Sequence, residues 1–540
     1  MLNKIKHPLI ILLFFIIGCF IFKDAFFTVY DTPRELLIPK GILEGKILYK
    51  EIYNFYGALP YYIAALFFKI FGLSTNSYFS LNIINSLFFV FGIYFLANLF
   101  VNKKYSLITT IFVMCTTIFN ITVFNFIYPY SICYTFALSA YIYSILFLIK
   151  FIKENNDKYF IISSVLLGFC VASKNEFILT PLIHIISIFL YKTNKFKYLI
   201  RFLLCFSIFP LLQMLILFIS GLKFEDLPFI FSIFIKSTTS TAMKEFHKGI
   251  GMYPFLLKPL SLIKIILCWI GIICSYILYR RNKIYGTIIS IILLLFIKHN
   301  IIGSLLFFLP LTVFLFLILK IKKIIKKPAF FVLILGALLT SLKTFFYLNF
   351  ATQGAYAFPL FILYFIALFT ANRKTNIIMF LIPFFITFYF YSSFIAYFEY
   401  SNIISHNQIT TKTTNTQALL LENIVSWINN NTKDDEKILM FPEFTTPLLM
   451  TNRQSDYMLY NLHDISIDIL GTDYIRKRVI NNNIKYIIDT STYNSYSYNT
   501  KSYKIVNEGK FIETTFKDKF KKIHQINVKN YKINIYKKIL

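Results

Sequence analysis

Acidic residues are scarce in this chain of 540 residues: it holds 25 Asp and Glu against 55 Lys and Arg, a net charge of +30. Such an excess suggests a nucleic-acid-binding protein. Here, however, the basic residues lie mostly in short runs between apolar segments. That placement argues against nucleic acid and is typical of the loops of a membrane protein. Abundant Ile, Lys, Asn, Phe and Tyr also indicate a compositional bias, so part of the charge has no functional meaning.

Cysteine is sparse and unpatterned. All seven cysteines precede residue 275, in or beside apolar stretches, and no two form a CxxC pair. The spacing therefore gives no sign of a zinc site or a disulfide framework, and small apolar packing residues are the simplest interpretation. No internal repeat is evident either, which weakens the case for a transporter built from inverted repeats.

Apolar residues, by contrast, dominate: 57% of the chain is hydrophobic, 19% is aromatic, and the mean hydropathy is +0.64. A soluble protein does not sustain such values over this length, so we predict a multi-span α-helical membrane protein. Segment 58–72 is apolar but short, and we interpret it as an interfacial or re-entrant helix. About thirteen predicted transmembrane helices cover residues 8–23, 77–100, 105–124, 128–149, 159–172, 177–191, 202–220, 254–278, 285–297, 301–319, 329–347, 356–371 and 376–397.

The basic clusters predict the orientation of these spans. If the spans alternate, seven Lys/Arg clusters all fall on one side, which the positive-inside rule makes cytoplasmic. The N-terminus, interpreted as an uncleaved signal anchor, is then inside. We predict a plasma-membrane protein with a transmembrane domain over 1–398, a first outer loop over 24–58, and an extracytoplasmic domain over 399–540.

The final 140 or so residues differ in character, being rich in Asn, Thr, Asp and Lys. Apolar residues at helical spacing over 419–427 predict a helix that ends at the Asn run 429–431. Segments 437–442 and 485–489 look like buried strands, and 511–520 is predicted to be a helix before a final strand pair. The alternation predicts a small α/β domain.

Candidate chemistry begins just past the first span. Asp31 is followed three residues later by Arg34, and a second acid, Glu51, comes about twenty residues on. A carboxylate beside cations suits a general base next to a phosphate-bearing lipid. A plainer interpretation is that Asp31 caps a helix starting near Pro33, and that Arg34 pairs with Glu35 or another acid of the loop.

Basic residues also recur at the predicted outer ends of spans, where positive charge should be rare. They are Lys174, near Glu176, together with Lys298 and Lys343. Ionisable groups at membrane depth are usually buried in the bundle and functional. Structural alternatives stay open: an ion pair between Lys174 and Glu176, a solvated loop at Lys298, and snorkelling of Lys343 to the headgroups.

This layout resembles the GT-C class of membrane glycosyltransferases, and within it the family-39-like enzymes, which include protein O-mannosyltransferases and lipid A aminoarabinose transferases. The overall layout is similar over most of the chain, but only a few specific motifs match. They are Asp31 with Arg34 after the first span, the run Leu43–Glu51, the stretch Tyr56–Tyr61, the small-residue stretch Gly168–Lys174, and the outer loop and span Lys343–Pro359. Two departures are that Thr32 stands where many relatives have Glu, and that a Glu-Lys-Pro-Pro motif is missing, which leaves metal use and the second acid's role open.

The resemblance implies a sugar donor on a polyprenyl phosphate and a single inverting displacement. It implies no required cofactor and assigns no metal ligand, although a divalent metal stays open. The implied partners are the donor, membrane lipids and an extracytoplasmic acceptor (protein, glycolipid or polysaccharide), with no nucleic acid. The implied roles are catalytic for Asp31 and Glu51 (with Glu44 as the other candidate second acid), donor-phosphate binding for Arg34, Lys174, Lys343 and Lys298, and substrate binding for Glu44, Tyr56, Glu176, Tyr347 and Tyr356.

Two other functional classes remain as alternatives. A transporter or flippase for polyprenyl-linked lipids would use the same basic residues, but would need neither Asp31 in an outer loop nor a sizeable outer domain. The second alternative is a non-catalytic envelope-assembly protein or a polysaccharide polymerase. A polymerase would carry a large polar loop between late spans, and the late loops here are short. The sequence identifies neither the sugar nor the acceptor.

Overall fold

The computed structural model describes residues 2–25, 31–120, 122–250, 252, 259–296, 306, 308–348, 354–492 and 508–539. The chain divides into two compact units. The first comprises Met1–Lys23, Asn82–Leu212 and Ile250–Tyr397, and the second comprises Asp24–Leu81, Gln213–Gly249 and Phe398–Leu540. The second unit thus takes in chain segments on both sides of residue 398, whereas the predicted boundary at 398/399 followed hydropathy alone.

Helices account for most of the described structure up to residue 399. They are α1 (Leu2–Phe22), α2 (Asp31–Leu43), α3 (Leu59–Phe71), α4 (Thr75–Ala97), α5 (Lys103–Val113), α6 (Ile132–Glu154), α7 (Asp157–Ser173), α8 (Pro181–Tyr191), α9 (Lys195–Ile219), α10 (Leu227–Thr239), α11 (Thr241–Gly249), α12 (Pro259–Arg281), α13 (Lys283–Phe296), α14 (Leu309–Ile325), α15 (Pro328–Thr340), α16 (Gly354–Ala371) and α17 (Thr375–Phe394). A helix overlaps each predicted apolar segment, because runs of Leu, Ile and Phe without charge favour a backbone that satisfies its own hydrogen bonds.

Six helices within the described ranges are long and apolar enough to cross a bilayer. They cover Thr75–Ala97, Ile132–Glu154, Lys195–Ile219, Leu262–Arg281, Gly354–Ala371 and Thr375–Glu399. The prediction of a multi-span helical membrane protein is therefore confirmed. The count of about thirteen spans stays a prediction. Helix α3 has 13 residues, about 20 Å at 1.5 Å per residue, which is short of a hydrocarbon core about 30 Å thick.

Side-chain hydrogen bonds link helices α6, α7 and α8 inside the first unit. Ser163 on α7 donates to the backbone oxygen of Ser144 on α6 (2.6 Å), and its hydroxyl lies 2.7 Å from Nε2 of His184 on α8. His184 is 2% exposed, so it is the hydrogen-bonded core residue that its place in an apolar segment suggests. Close approach matters too, because a Cβ at Gly168 would overlap the backbone oxygen of Phe206 on α9.

The second unit contains the β-structure. Strands β1 (Asn402–His406) and β2 (Ile409–Thr413) form a hairpin, and a separate sheet has the order β3 (Lys437–Phe441), β4 (Ile484–Asp489), β6 (Tyr531–Lys538), β5 (Phe520–Val528). Strands β3 and β4 run parallel, and the other pairs in that sheet are antiparallel. The remaining helices are α18 (Asn415–Asn431), α19 (Thr446–Thr451), α20 (Asp464–Leu470), α21 (Thr472–Asn481) and α22 (Glu508–Thr515).

The predicted α/β character of the C-terminal region is confirmed. Helix α18 covers the predicted 419–427 helix, and both predicted buried strands are present as β3 and β4. The helix predicted over 511–520 ends at Thr515, because Phe520 already pairs with Lys538 as the first residue of β5. The extracytoplasmic location of this region stays a prediction.

Candidate functional site

Helix α2 in the second unit begins at Asp31 itself. An acid in the first turn is stabilised by the amide dipoles there, and Pro33 fits because the first turn needs no N–H donor from it. Positions three apart share a face, so Arg34 reaches back to Asp31, with Nη2 2.5 Å from Oδ1. Asp31 is 8% exposed and Arg34 is 6% exposed. Helix start and ion pair are therefore features of one buried turn.

A second carboxylate reaches Arg34 from far along the sequence. Glu443 follows strand β3 and is 1% exposed, and its Oε1 lies 3.3 Å from Nη1 of Arg34. On its other side, Oε2 lies 2.6 Å from Nε2 of His463, the residue that precedes α20. We call Asp31, Arg34, Glu443 and His463 the acid–arginine cluster.

Electrostatics hold the Glu443 carboxylate in its ionised form. Burial by itself favours the neutral acid, but the Arg34 guanidinium and the hydrogen bond from His463 outweigh it, so the pKa of Glu443 lies below its ordinary value. Within the acid–arginine cluster, Arg34 therefore faces two carboxylates, Asp31 and Glu443. Such an arrangement fixes the guanidinium and orients the carboxylate of Asp31.

Buried tyrosines and a third acid surround this turn. Glu35, next to Arg34, is completely buried, and its Oε1 accepts a hydrogen bond of 3.3 Å from the hydroxyl of Tyr61 on α3. The backbone oxygen of Tyr53 accepts from the hydroxyl of Tyr460 at 2.9 Å. Burial raises the pKa of Tyr53 to about 12, even though Arg34 acts in the opposite direction. These contacts tie α2, α3 and the segment before α20 into one packed region.

Glu44, predicted to bind substrate, lies just past the other end of α2. Its Oε1 is 2.5 Å from Nζ of Lys40, and its Oε2 accepts a 2.7 Å hydrogen bond from the hydroxyl of Tyr457. Burial, with the nearby Glu44 charge adding to it, raises the pKa of Tyr457. Gly41 allows this packing, because a Cβ there would come within 2.9 Å of Ile52 and 3.1 Å of Tyr457.

Glu51 and Tyr56 shape the loop between α2 and α3. The Glu51 carboxylate accepts from the backbone N–H of Ile47 at 2.9 Å and lies 3.8 Å from Nζ of Lys46. Its side chain is 35% exposed, as expected for an acid that closes a local turn. The backbone oxygen of Tyr56 accepts from the Tyr49 hydroxyl at 2.5 Å. All of these contacts lie within the loop, and the predicted catalytic role of Glu51 stays a prediction.

In the first unit, two predicted phosphate-binding lysines lie close to the same carboxylate. Glu176, in a short 3-10 turn after α7, has its Oε1 2.6 Å from Nζ of Lys343 and 3.7 Å from Nζ of Lys174. We call these three residues the lysine pair with its carboxylate. Lys174 is 3% exposed. Two ammonium groups thus converge on one carboxylate after the end of α7.

Aromatic rings line the same region. The Lys174 ammonium lies 5.8 Å from the ring centre of Tyr134, and Tyr134 stacks on Tyr356 with 4.3 Å between centroids. The hydroxyl of Tyr356 donates to the backbone oxygen of Tyr130 at 3.1 Å. Tyr134 thus lies between Lys174 and Tyr356 and contacts both. The backbone N–H of Tyr347 donates to the backbone oxygen of Thr344 at 3.1 Å, which places Tyr347 in the turn that follows Lys343.

Lys298 lies outside the residues that the structure describes. Across the described ranges, no three His, Cys, Asp or Glu side chains gather in a way that could hold a metal ion. Whether the protein uses a divalent metal therefore stays an open question, as it was from the sequence.

Sequence reasoning missed Glu443 and His463. The available signal was that Glu443 lies two residues after the buried strand β3, and functional groups often follow the carboxyl ends of parallel strands. The partner of that acid could not be read from sequence, because Arg34 lies about 400 residues earlier.

Residues 57–216 match the family model described as dolichyl-phosphate-mannose-protein mannosyltransferase. The resemblance to GT-C membrane glycosyltransferases is thereby confirmed. The matched segment contains Lys174 and Glu176, whereas Asp31 and Arg34 precede it. A comparison with curated proteins found no match.

Among solved structures, the chain is similar to the oligosaccharyltransferase AglB from Archaeoglobus fulgidus in complex with an inhibitory peptide and a dolichol-phosphate (13% identity, TM-score 0.47, 91% of this chain and 71% of that one). It is also similar to ArnT from Cupriavidus metallidurans bound to undecaprenyl phosphate (8% identity, TM-score 0.46, 98% of each chain). The apo form of that ArnT gives 7% identity and a TM-score of 0.49, over 99% of this chain and 98% of that one. At such low identities and TM-scores, a function for this chain can be inferred only from its own residues.

Proposed function

We propose that this chain is an integral membrane glycosyltransferase that moves a sugar from a polyprenyl-phosphate donor to a hydroxyl of an extracytoplasmic acceptor. The observation that carries the proposal is the buried contact between Asp31 and Arg34 at 2.5 Å, within a chain whose residues 57–216 match a mannosyltransferase family. The proposed setting is the plasma membrane, with about thirteen spans, an inner N-terminus and an outer domain over 399–540, as the positive-inside pattern suggests.

The proposed reaction is one inverting displacement. The acceptor oxygen attacks the anomeric carbon while its proton passes to the Asp31 carboxylate, and the bond from that carbon to the phosphate oxygen breaks. The lipid phosphate leaves with the electron pair. Asp31 suits the role of base because its carboxylate is buried and held in place by Arg34 at 2.5 Å.

Cations are proposed to stabilise the departing phosphate. Lys174 and Lys343 both lie against Glu176, so two ammonium groups are close together, which supports a role in binding the donor phosphate. Arg34 and Lys298 are further candidates for the same role. Glu44, Tyr56, Tyr347 and Tyr356 are proposed to contact substrate, and Glu51 is retained as a proposed second acid.

The test is Asp31→Asn in the purified, detergent-solubilised protein. The measurement is release of free polyprenyl phosphate from a panel of polyprenyl-phosphate sugars, together with binding of the same donors. We expect turnover to fall by about two to four powers of ten, the usual contribution of a general base, with donor binding retained. Asp518→Asn is the matched control, since Asp518 forms an exposed pair with Arg476 at 2.6 Å.

Two outcomes would contradict the proposal. Full activity in Asp31→Asn would remove Asp31 as the base and direct attention to Glu51 or Glu44. Donor binding by the wild type without any turnover, across protein, glycolipid and polysaccharide acceptors, would contradict the enzyme itself and favour lipid transport.

A further inference from the structure

A polar cleft lies in the second unit, beside the C-terminal end of α2. It has a volume of about 630 Å³, which falls in the range of small-ligand sites. Carboxamide side chains form much of its lining: Asn407, Asn429, Asn452 and Gln454. None of its lining residues belongs to the acid–arginine cluster, and these carboxamides have no part in the proposed reaction.

The charges that line the cleft cancel. Lys40 is engaged by the Glu44 carboxylate at 2.5 Å, and Arg453 is engaged by Asp434 in an ion pair. The Arg453 side chain is further fixed by Thr432, whose hydroxyl oxygen accepts from Nε at 3.1 Å and whose backbone oxygen accepts from Nη2 at 3.1 Å. Each cation already faces an anion, so the cleft offers little net charge to a phosphate or a carboxylate. Its chemistry favours a neutral ligand with many hydroxyl groups.

A smaller cavity of about 380 Å³ shares Lys40, Asn407 and Asn452 with this cleft. Its lining adds aliphatic side chains, those of Leu73, Ile409 and Leu449. A cleft with carboxamides on one part and an aliphatic surface on another matches a pyranose ring, which presents hydroxyl groups at its edge and C–H groups on its face. An extended peptide would instead require main-chain pairing along a strand edge or pockets for alternate side chains.

We propose that this cleft binds a neutral saccharide unit through the carboxamides of Asn429 and Gln454, with the aliphatic surface of the smaller cavity meeting the ring where the two cavities share Asn407 and Asn452. Both side chains are exposed and lie on ordered elements: Asn429 is on α18, and the backbone oxygen of Gln454 accepts from Ile438 of β3 at 3.0 Å. Assigning this saccharide to the acceptor rests on the proposed transferase function, whereas binding of the saccharide does not.

The test uses the full-length protein in detergent and ligand-observed NMR with neutral methyl hexosides and disaccharides. Inorganic phosphate, a methyl glucuronide and an unstructured peptide are the comparison probes. We expect the neutral saccharides to bind and the others not to bind. The double variant Asn429→Ala with Gln454→Ala is expected to weaken binding about tenfold, as the loss of two hydrogen bonds predicts.

Matched controls are Asn430→Ala, on the neighbouring position of α18, and Gln525→Ala on β5. Asn430 is exposed and Gln525 is partly exposed, and both lie outside the lining of the cleft. Both variants are expected to bind saccharide within twofold of wild type. A second variant, Gln454→Trp, should fill the cleft and abolish binding, which covers the case in which the double variant does not fold. Wild-type protein that binds no neutral saccharide, or binds phosphate or peptide instead, overturns the proposal.

The failure of this proposal can be told apart from the failure of the proposed function. Saccharide binding that Gln454→Trp abolishes, in a protein that releases no polyprenyl phosphate, would keep the subsite and overturn the transferase. Polyprenyl-phosphate release that is unaffected by Gln454→Trp, with every saccharide acceptor tested, would keep the transferase and overturn the acceptor assignment.

Discussion

Glu443 is the part of the acid–arginine cluster whose contribution can be worked out most directly. At 3.3 Å and an effective dielectric constant of about 20, its attraction to Arg34 is about 5 kcal/mol before the cost of desolvation. Removing one member of a buried ion pair typically costs about 3–5 kcal/mol, because a buried charge is left uncompensated. In Glu443→Gln, however, Arg34 keeps Asp31 at 2.5 Å. We therefore expect a smaller loss, about 2 kcal/mol.

Trp427 provides a reporter for this loss. The chain has two tryptophans, and Trp427 on α18 packs against Tyr486, with 5.7 Å between centroids. A Trp269→Phe background leaves Trp427 as the sole tryptophan, so its fluorescence follows unfolding around the sheet. For a folded unit of about 150–250 residues, 1 kcal/mol shifts Tm by about 2–4 °C, so Glu443→Gln should lower this transition by about 4–8 °C at pH 7.

The dependence on pH gives the sharper test. The pKa of Glu443 is lowered on folding, so its ionised form stabilises the protein fully above the ordinary carboxyl value of 4.5, and this stabilisation is lost as the pH falls through the lowered value. A protonated Glu443 resembles a glutamine. The difference in Tm between wild type and Glu443→Gln should therefore be full at pH 7 and narrow steadily below about pH 4.

The control is Glu422→Gln, an exposed acid on α18, for which we expect a change of less than about 0.5 kcal/mol. A Glu443→Gln protein that unfolds within about 1 °C of wild type at pH 7 would refute the reasoning. So would a difference that stays constant from pH 7 to pH 3, because it would mean that the lost stability does not come from the ionised carboxylate.

Three further predictions concern other parts of the chain. Lys343→Gln should weaken binding of a short polyprenyl phosphate about tenfold, measured by competition with a labelled lipid, because the anion loses a charge-assisted hydrogen bond. Gly168→Ala should destabilise the protein by about 1–3 kcal/mol, seen as a lower inactivation temperature in detergent, because the new methyl group overlaps the backbone oxygen of Phe206. Tyr457→Phe should cost about 1 kcal/mol in the Trp427 transition, because the hydroxyl that donates to Glu44 at 2.7 Å is removed.

The first two of these predictions have matched controls, and all three have a contradicting result. For Lys343 the control is Lys320→Gln, in the basic run 320–327 between two predicted spans, one of the seven clusters predicted to be cytoplasmic. Equal donor affinity in both variants would contradict a phosphate-binding role. Gly271→Ala is the glycine control, since its new methyl group meets only a leucine side chain that can shift. Stability of Gly168→Ala equal to that of Gly271→Ala would exclude the proposed close approach. An unchanged transition in Tyr457→Phe would mean that the bond to Glu44 contributes nothing net.

The elements of this fold could be predicted where local signals determine them. Long uncharged runs predicted the helices, and helical spacing over 419–427 predicted α18, because burial of one face repeats at a fixed period. The pairing of Asp31 with Arg34 follows from the three-residue spacing of one helix face, and it agrees with the expectation that Arg34 pairs with Glu35 or another acid of the loop. The second acid that Arg34 meets, Glu443, lies in a different part of the chain.

What could not be predicted depends on contacts between distant segments. The two lysines around Glu176 were each singled out from their position at the end of an apolar run, but their meeting on one carboxylate depends on the packing of α7 with the segment after α15. Likewise, the position of Glu443 after a buried strand could be recognised in the sequence, but nothing local identifies Arg34 as its partner. A side chain without a periodic pattern can be recognised as a candidate from sequence, but its partner can be identified only once the chain is folded.

Because acidic residues are scarce in this chain, their burial around Arg34 requires an explanation. Only 25 acidic residues occur in the chain, yet Asp31, Glu35 and Glu443 are all buried close to Arg34. Burying each carboxylate costs several kcal/mol, and well-packed apolar residues of similar volume are often equally stable or more stable than a buried ion pair. Stability alone therefore does not account for this arrangement. We infer that a requirement for an oriented carboxylate does, and that Asp31 is therefore more than the cap of helix α2.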